Sequence, residues 1–192
     1  MIRRLPVFPT LLVSMAVAAM IALGVWQLHR KEWKEALLAR YSAALTEPAP
    51  VAWPRDPARY EDVLYRRSTF TCERVLARDA IAGRSEQGQP GWAQTARCAL
   101  AGGGEGTVAL GWGQDIETRE WPGGPVSGFI APAGEDIRLV AAPAQAGLAQ
   151  LARPDPNDLP NNHLSYAVQW FFFAATAIAI YVLALRRRQQ GG

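Results

Sequence analysis

Two uncharged apolar runs bracket this chain, and between them short apolar segments alternate with glycine- and proline-rich breaks. The runs cover residues 5–28 and 163–185. Each reaches the roughly 20 residues that a helix needs to cross a bilayer, so the pattern predicts transmembrane helices over 7–28 and 163–185. The second run opens on polar residues. At helical spacing Asn162, Ser165, Tyr166 and Gln169 share one side, with His163 and Trp170 at its edge, whereas Leu164, Val168, Phe171 and Phe172 lie largely off it. A membrane helix does not normally spend polar groups on lipid, so that side is expected to face protein, water or a ligand. Gln169, about two turns below His163, is expected to bond to the first helix.

Between the runs, Trp33, Ala36, Leu37, Arg40, Tyr41 and Ala44 recur at intervals of three and four, which predicts a helix over 32–44. Pro48, Pro50, Pro54 and Pro57 then mark a linker over 45–59. Strands are expected at 63–77, bent or split, and at 78–82, 92–101, 107–112, 126–131 and 137–142. Gly88-Gln89-Pro90-Gly91, Gly102-Gly103-Gly104 and Trp121-Pro122-Gly123-Gly124-Pro125 separate them. A short helix is expected at 144–152, within an extended return over 143–162 that leads to the last run. The fold class is therefore membrane α plus β. Two transmembrane helices flank a small antiparallel β-sheet or partly closed barrel over about 60–142.

Charge orients this arrangement. The net charge is +3, and Arg3 and Arg4 precede the first run while Arg186, Arg187 and Arg188 follow the last. This is a topology pattern rather than a nucleic-acid patch, and it puts the tails 1–6 and 186–192 in the cytoplasm with 29–162 as a periplasmic domain. A cleavable signal peptide competes for the first run. Its length, and the absence of a small-x-small site near Gly24-Val25-Trp26-Gln27, favour an uncleaved anchor. With nothing like a transit peptide ahead of the run, the expected home is a bacterial inner membrane, with the lipid bilayer as a partner.

The candidate chemistry is sparse. Cys72 and Cys98 are too few for a zinc set of thiolates. In an oxidising compartment they form a disulfide, and otherwise they are buried thiols. No histidine lies between His29 and His163 to activate a thiol, and no phosphate-binding glycine loop or G-x-S-x-G is present. Nothing points to an enzyme. In the expected topology His29 and His163 lie in one layer at the outer face, joined by Trp26, Gln27, Arg30 and Lys31. Imidazoles, an apolar slot and cations suit an anionic-tailed amphiphile such as a haem. The residues by themselves favour the plainer reading of headgroup contact and helix–helix bonding.

Three stretches resemble the surfeit locus protein 1 (surfeit-one, Shy) family of cytochrome c oxidase assembly factors. Gly24-Val25-Trp26-Gln27-Leu28-His29-Arg30, with Trp33-Lys34, is similar to the family's G-x-W-Q-x-x-R-x-x-W-K. Asp158-Leu159-Pro160-Asn161-Asn162-His163-Leu164-Ser165-Tyr166-Ala167-Val168-Gln169-Trp170-Phe171 is similar to its N-N-H-x-x-Y-A-x-x-W-F. Val108-Ala109-Leu110-Gly111-Trp112 is similar to a worn V-N-R-G-W, with Ala109 and Leu110 in place of Asn-Arg. The resemblance implies a non-catalytic factor that binds haem a and assists its insertion into the cytochrome c oxidase large subunit, working beside the haem a synthesis machinery. It implies His163 as the iron ligand. On that reading Tyr166, Trp170, Gln27 and Trp26 are expected to line the slot and Arg30 to hold a propionate. His29 as a second ligand is a further expectation. The alternative is a cofactor-free scaffold that stabilises an oxidase assembly intermediate.

Overall fold

The structure, a computed structural model, describes residues 6–190. Arg3 and Arg4, which carry part of the orientation argument, lie outside them, as do the last two residues of the expected tail 186–192. The chain forms two compact units, one of Met1–Leu37 with Leu159–Gly192 and one of Leu38–Asp158.

The first unit is helical. Helix α1 runs unbroken from Val7 to Thr46, 40 residues, or about 60 Å. Its expected continuation over 32–44 is therefore part of one helix, because no glycine or proline interrupts the chain between Leu28 and Thr46. Helix α3, His163–Gln190, has 28 residues. Both are long and apolar enough to cross a membrane by length and composition.

The second unit holds the end of α1, strand β1 (Val51–Ala52), a short 3-10 turn at Pro57–Arg59 and helix α2 (Tyr60–Val63). Strands β2 (Arg67–Arg84), β3 (Pro90–Leu100), β4 (Glu105–Gly113), β5 (Gly124–Ala133) and β6 (Asp136–Ala141) follow. They form a six-stranded sheet in the order β1-β2-β3-β4-β6-β5, with a further pairing of β2 to β5. The sheet is mixed rather than antiparallel, since β1 runs parallel to β2 and β4 parallel to β6. The cause is a count of reversals. The β4–β5 connection turns the chain once and the β5–β6 hairpin turns it again, so β6 returns in the direction of β4 and bonds beside it.

The two expected strands 63–77 and 78–82 are one strand. β2 pairs with β5 from Arg67 to Cys72 and with β3 from Cys72 onward. Register shifts between Cys72 and Arg74 and between Val75 and Ala77 bend it between these partners. At the pivot, Cys72 and Cys98 form a disulfide. Both lie in the core with Phe70, Leu100, Val108, Leu110, Ile130 and Leu139. The opposite face carries a second buried cluster of Ala93, Ala109, Ala131, Val140 and Leu151.

Residues 144–152 form turns and bridges instead of the expected helix and reach both clusters, with Leu148 in the first and Leu151 in the second. Ala146 and Gly147 both take positive φ, which ends any helical run. The Trp112 and Ala149 backbones bond to each other, and Leu148 settles over Gly111. A Cβ at Gly111 would stand 2.5 Å from the Leu148 Cβ and 2.8 Å from the Ala149 carbonyl oxygen. Gly111→Ala is therefore expected to destabilise the sheet unit by about 1–3 kcal/mol through overpacking. Denaturant unfolding followed by tryptophan fluorescence measures it.

The proline-rich residues 45–59 strap this unit. Ser68 Oγ donates to the Val51 carbonyl at 2.9 Å, and Trp53 packs edge-on against Phe70 at 4.9 Å. Arg55 donates to the carbonyls of Ala101, Gly102 and Gly103 across the β3–β4 turn. At the end of α1, Tyr41 meets Tyr65 at 4.9 Å between ring centroids, and burial raises both phenol pKa values above the ordinary tyrosine range.

Candidate functional site

The polar chemistry singled out at the helix ends lies within the helical unit. α1 and α3 run antiparallel, joined near one end by His163 and Gln27 and near the other by Thr10 and Tyr181, whose hydroxyls bond. The less exposed positions of α1 include Thr10, Val13, Val17, Met20, Gly24 and Gln27, alternating by three and four. Those of α3 include His163, Ala167, Trp170, Ala174, Ala177 and Tyr181. This heptad spacing is that of a left-handed helix pair. Small residues set the closest approach, as Gly24, Ala167 and Ala174 are buried. A Cβ on Gly24 would come 2.6 Å from the Phe171 ring, so this crossing requires glycine or a displaced phenylalanine.

His163 sits on this seam. Its Nδ1 lies 2.8 Å from Gln27 Oε1. An amide oxygen only accepts, so Nδ1 donates in this pairing, and in the neutral ring Nε2 is then the nitrogen with the lone pair. The pairing holds the ring in the tautomer that a metal-ligating imidazole needs, with the other nitrogen anchored by a protein oxygen.

The antiparallel packing also decides which neighbours share a flank. Gln27 and His163 meet on one side of the seam, and Gly24 and Phe171 on the other. At about 100° per residue, Arg30 and then Trp26 follow on the Gln27 side of α1, and Trp170 and then Tyr166 on the His163 side of α3. Gln27, Arg30, His163, Tyr166 and Trp170 thus line one flank of the helix pair, with Trp26 turned further out. Trp26 is 56% exposed and Tyr166 is 51% exposed, so this flank presents open aromatic surface. The Arg30 guanidinium stacks over the Trp33 ring at 4.1 Å. His29 is exposed and lies away from the seam.

One expectation about α3 changes: Gln169 makes no hydrogen bond to α1. The side carrying Asn162, Ser165, Tyr166 and Gln169, expected to face protein, water or a ligand, is exposed. The seam instead runs through His163, Ala167, Trp170 and Ala174. In an apolar helix the closest approach follows the smallest side chains rather than the most polar ones. Sequence reasoning missed the seam residues Gly24, Ala167, Phe171 and Ala174 as functional positions. Their signal is a three-four spacing of mostly small residues, which is hard to see where every neighbour is apolar too.

The sheet unit offers a different inventory. Among the described residues no group of three or more His, Cys, Asp or Glu side chains could hold a metal ion. The worn strand motif is structural here, with Ala109 and Leu110 buried on opposite faces of β4 and Gly111 beneath Leu148.

No curated protein matches the chain. The model of the SURF1 family matches residues 14–175, a span that contains the Gln27–His163 pair, most of the α1–α3 seam and the whole sheet. The chain belongs to the SURF1 family, which is linked to the assembly of cytochrome c oxidase rather than to catalysis.

Proposed function

We propose that this chain is a membrane-anchored cytochrome c oxidase assembly factor that binds haem a and assists its insertion into the large oxidase subunit. The observation that supports it is the 2.8 Å contact between His163 Nδ1 and Gln27 Oε1. It anchors one imidazole nitrogen on the helix pair, so that in the neutral ring the other would be available to ligate a haem iron. A bound haem would supply the iron and the apolar macrocycle. Trp170 and Tyr166 offer it aromatic surface, and Arg30 offers a propionate a planar cation. Gln27 fixes the ring orientation, and the small-residue seam fixes Gln27 against His163.

In this reading α1 and α3 both cross a bacterial inner membrane. Arg3, Arg4, Arg186, Arg187 and Arg188 favour both termini in the cytoplasm, with the sheet unit periplasmic. An oxidising periplasm suits the Cys72–Cys98 disulfide. A strain lacking the chain is expected to lose most cytochrome c oxidase activity. The intact chain should restore it, and His163→Ala should not, at equal membrane levels of protein. Restoration by His163→Ala would sink the carrier reading and favour a scaffold that works through protein contacts alone.

A further inference from the structure

Helix α3 carries a second stripe that α1 leaves uncovered. Asn162, which immediately precedes α3, and Tyr166, Gln169, Phe173, Thr176, Ile180 and Leu183 on it alternate by four and three, and every one of them is exposed. The stripe therefore has the same heptad spacing as the seam to α1 but lies on a different side of the helix. Its Asn162, Gln169 and Thr176 fall seven residues apart. The Gln169 amide and the Thr176 hydroxyl have no hydrogen-bonding partner among the described residues. The opposite exposed side, through Leu164, Val168, Phe172 and Ala175, is wholly apolar.

We infer that this second stripe docks a transmembrane helix of another protein, one that presents a hydrogen-bonding side chain level with Gln169 and small residues opposite Phe173. The inference rests on reading α3 as a membrane-spanning helix of an assembly factor. Gln169 lies about 9 Å along the axis from His163, and Thr176 about 20 Å, which puts both within the hydrocarbon layer. Lipid tails cannot pair an amide, and open water does not reach that depth. A neighbouring helix can, and it is the one occupant that also matches a heptad of knobs. Gln169 offers two donors and one acceptor oxygen, so a hydroxyl or amide on the partner satisfies it in either direction. Phe173 projects between Gln169 and Thr176 and needs small residues opposite it to let the backbones approach.

Charge separates a foreign helix from a second copy. Two-fold pairing of α3 along this stripe would set Arg186, Arg187 and Arg188 beside their own copies in one headgroup layer, and like charges there repel. A partner without cations at that end pairs without this penalty. Tyr166 belongs both to the stripe and to the flank that carries His163, so the docked helix lies next to the proposed haem face.

The test uses the full chain in its own membranes. A photo-crosslinking residue replaces Phe173 or Ile180 on the stripe, or Val168 or Phe172 on the apolar side. Adducts with a membrane subunit of cytochrome c oxidase are expected from 173 and 180, with little from 168 and 172. Adding Gln169→Leu, which keeps the length and removes the amide, should cut the yield at 180 several-fold without changing protein level or the disulfide. Equal yields from both sides, or an adduct of twice the chain's mass, would overturn the inference. So would a yield indifferent to Gln169→Leu. An adduct confined to 173 and 180 whose partner is identified as a membrane protein outside the oxidase would uphold the stripe and count against the oxidase reading instead.

Discussion

His163→Ala is expected to leave a folded, membrane-inserted protein that no longer retains haem a. The substitution removes the iron-ligating nitrogen and leaves Gln27 Oε1 without its donor. The seam itself survives, because Gly24, Ala167, Ala174 and the Thr10–Tyr181 bond do not depend on the imidazole. Gln27→Leu is the more discriminating companion. It keeps the ligand and frees the ring, and loss of such an orienting partner lowers affinity by about 10–100-fold. Titration of the detergent-purified proteins with haem separates the two variants. A ligand role predicts near-complete loss for His163→Ala and a graded loss for Gln27→Leu. If both variants bind as the natural chain does, His163 is not the ligand. If both also unfold, the pair is a structural bond between helices.

The second large effect concerns the sheet unit. Cys72 and Cys98 are separated by 26 residues in sequence, and closing a loop of that length restricts the unfolded chain by about 3.5 kcal/mol. Their place adds to this, since both cysteines are nearly fully buried at the point where β2 changes partners from β5 to β3. The Cys72→Ala, Cys98→Ala double variant is expected to lose roughly that much stability, which is a large share of the ~5–15 kcal/mol that holds a typical domain. Denaturant titration with and without reductant measures it. Reductant should move the natural chain to the midpoint of the variant and leave the variant unchanged. A variant as stable as the natural chain would show that the core alone fixes the bend of β2.

Much of the architecture was legible because it is written in charge and in turn residues. The uncharged runs announced α1 and α3, and Gly88-Gln89-Pro90-Gly91 and Gly102-Gly103-Gly104 marked the turns that bound β3. The parallel pairing of β4 with β6 was not legible. Periodicity tells which face of a strand is buried and not which strand lies beside it. Alternation itself was blurred, because Ala109, beside the core residues Val108 and Leu110, is buried in the other cluster, to which the return segment contributes Leu151. That contribution escaped notice in turn, since the positive φ of Ala146 has no residue signature. In the helical unit the motif residues pointed to the end of the pair where Gln27 meets His163, but not to the seam itself. Polarity drew attention to Gln169 and Tyr166, while small side chains decided where α1 packs.

The central claim is that His163 and its neighbours hold haem a. Its most direct test is an optical spectrum with a pyridine haemochrome of the detergent-purified full chain, coexpressed with the haem a synthesis machinery. The account predicts haem a bound to the natural chain, with a Soret band that His163→Ala removes. A folded, disulfide-bonded natural chain that carries no haem under those conditions would contradict it.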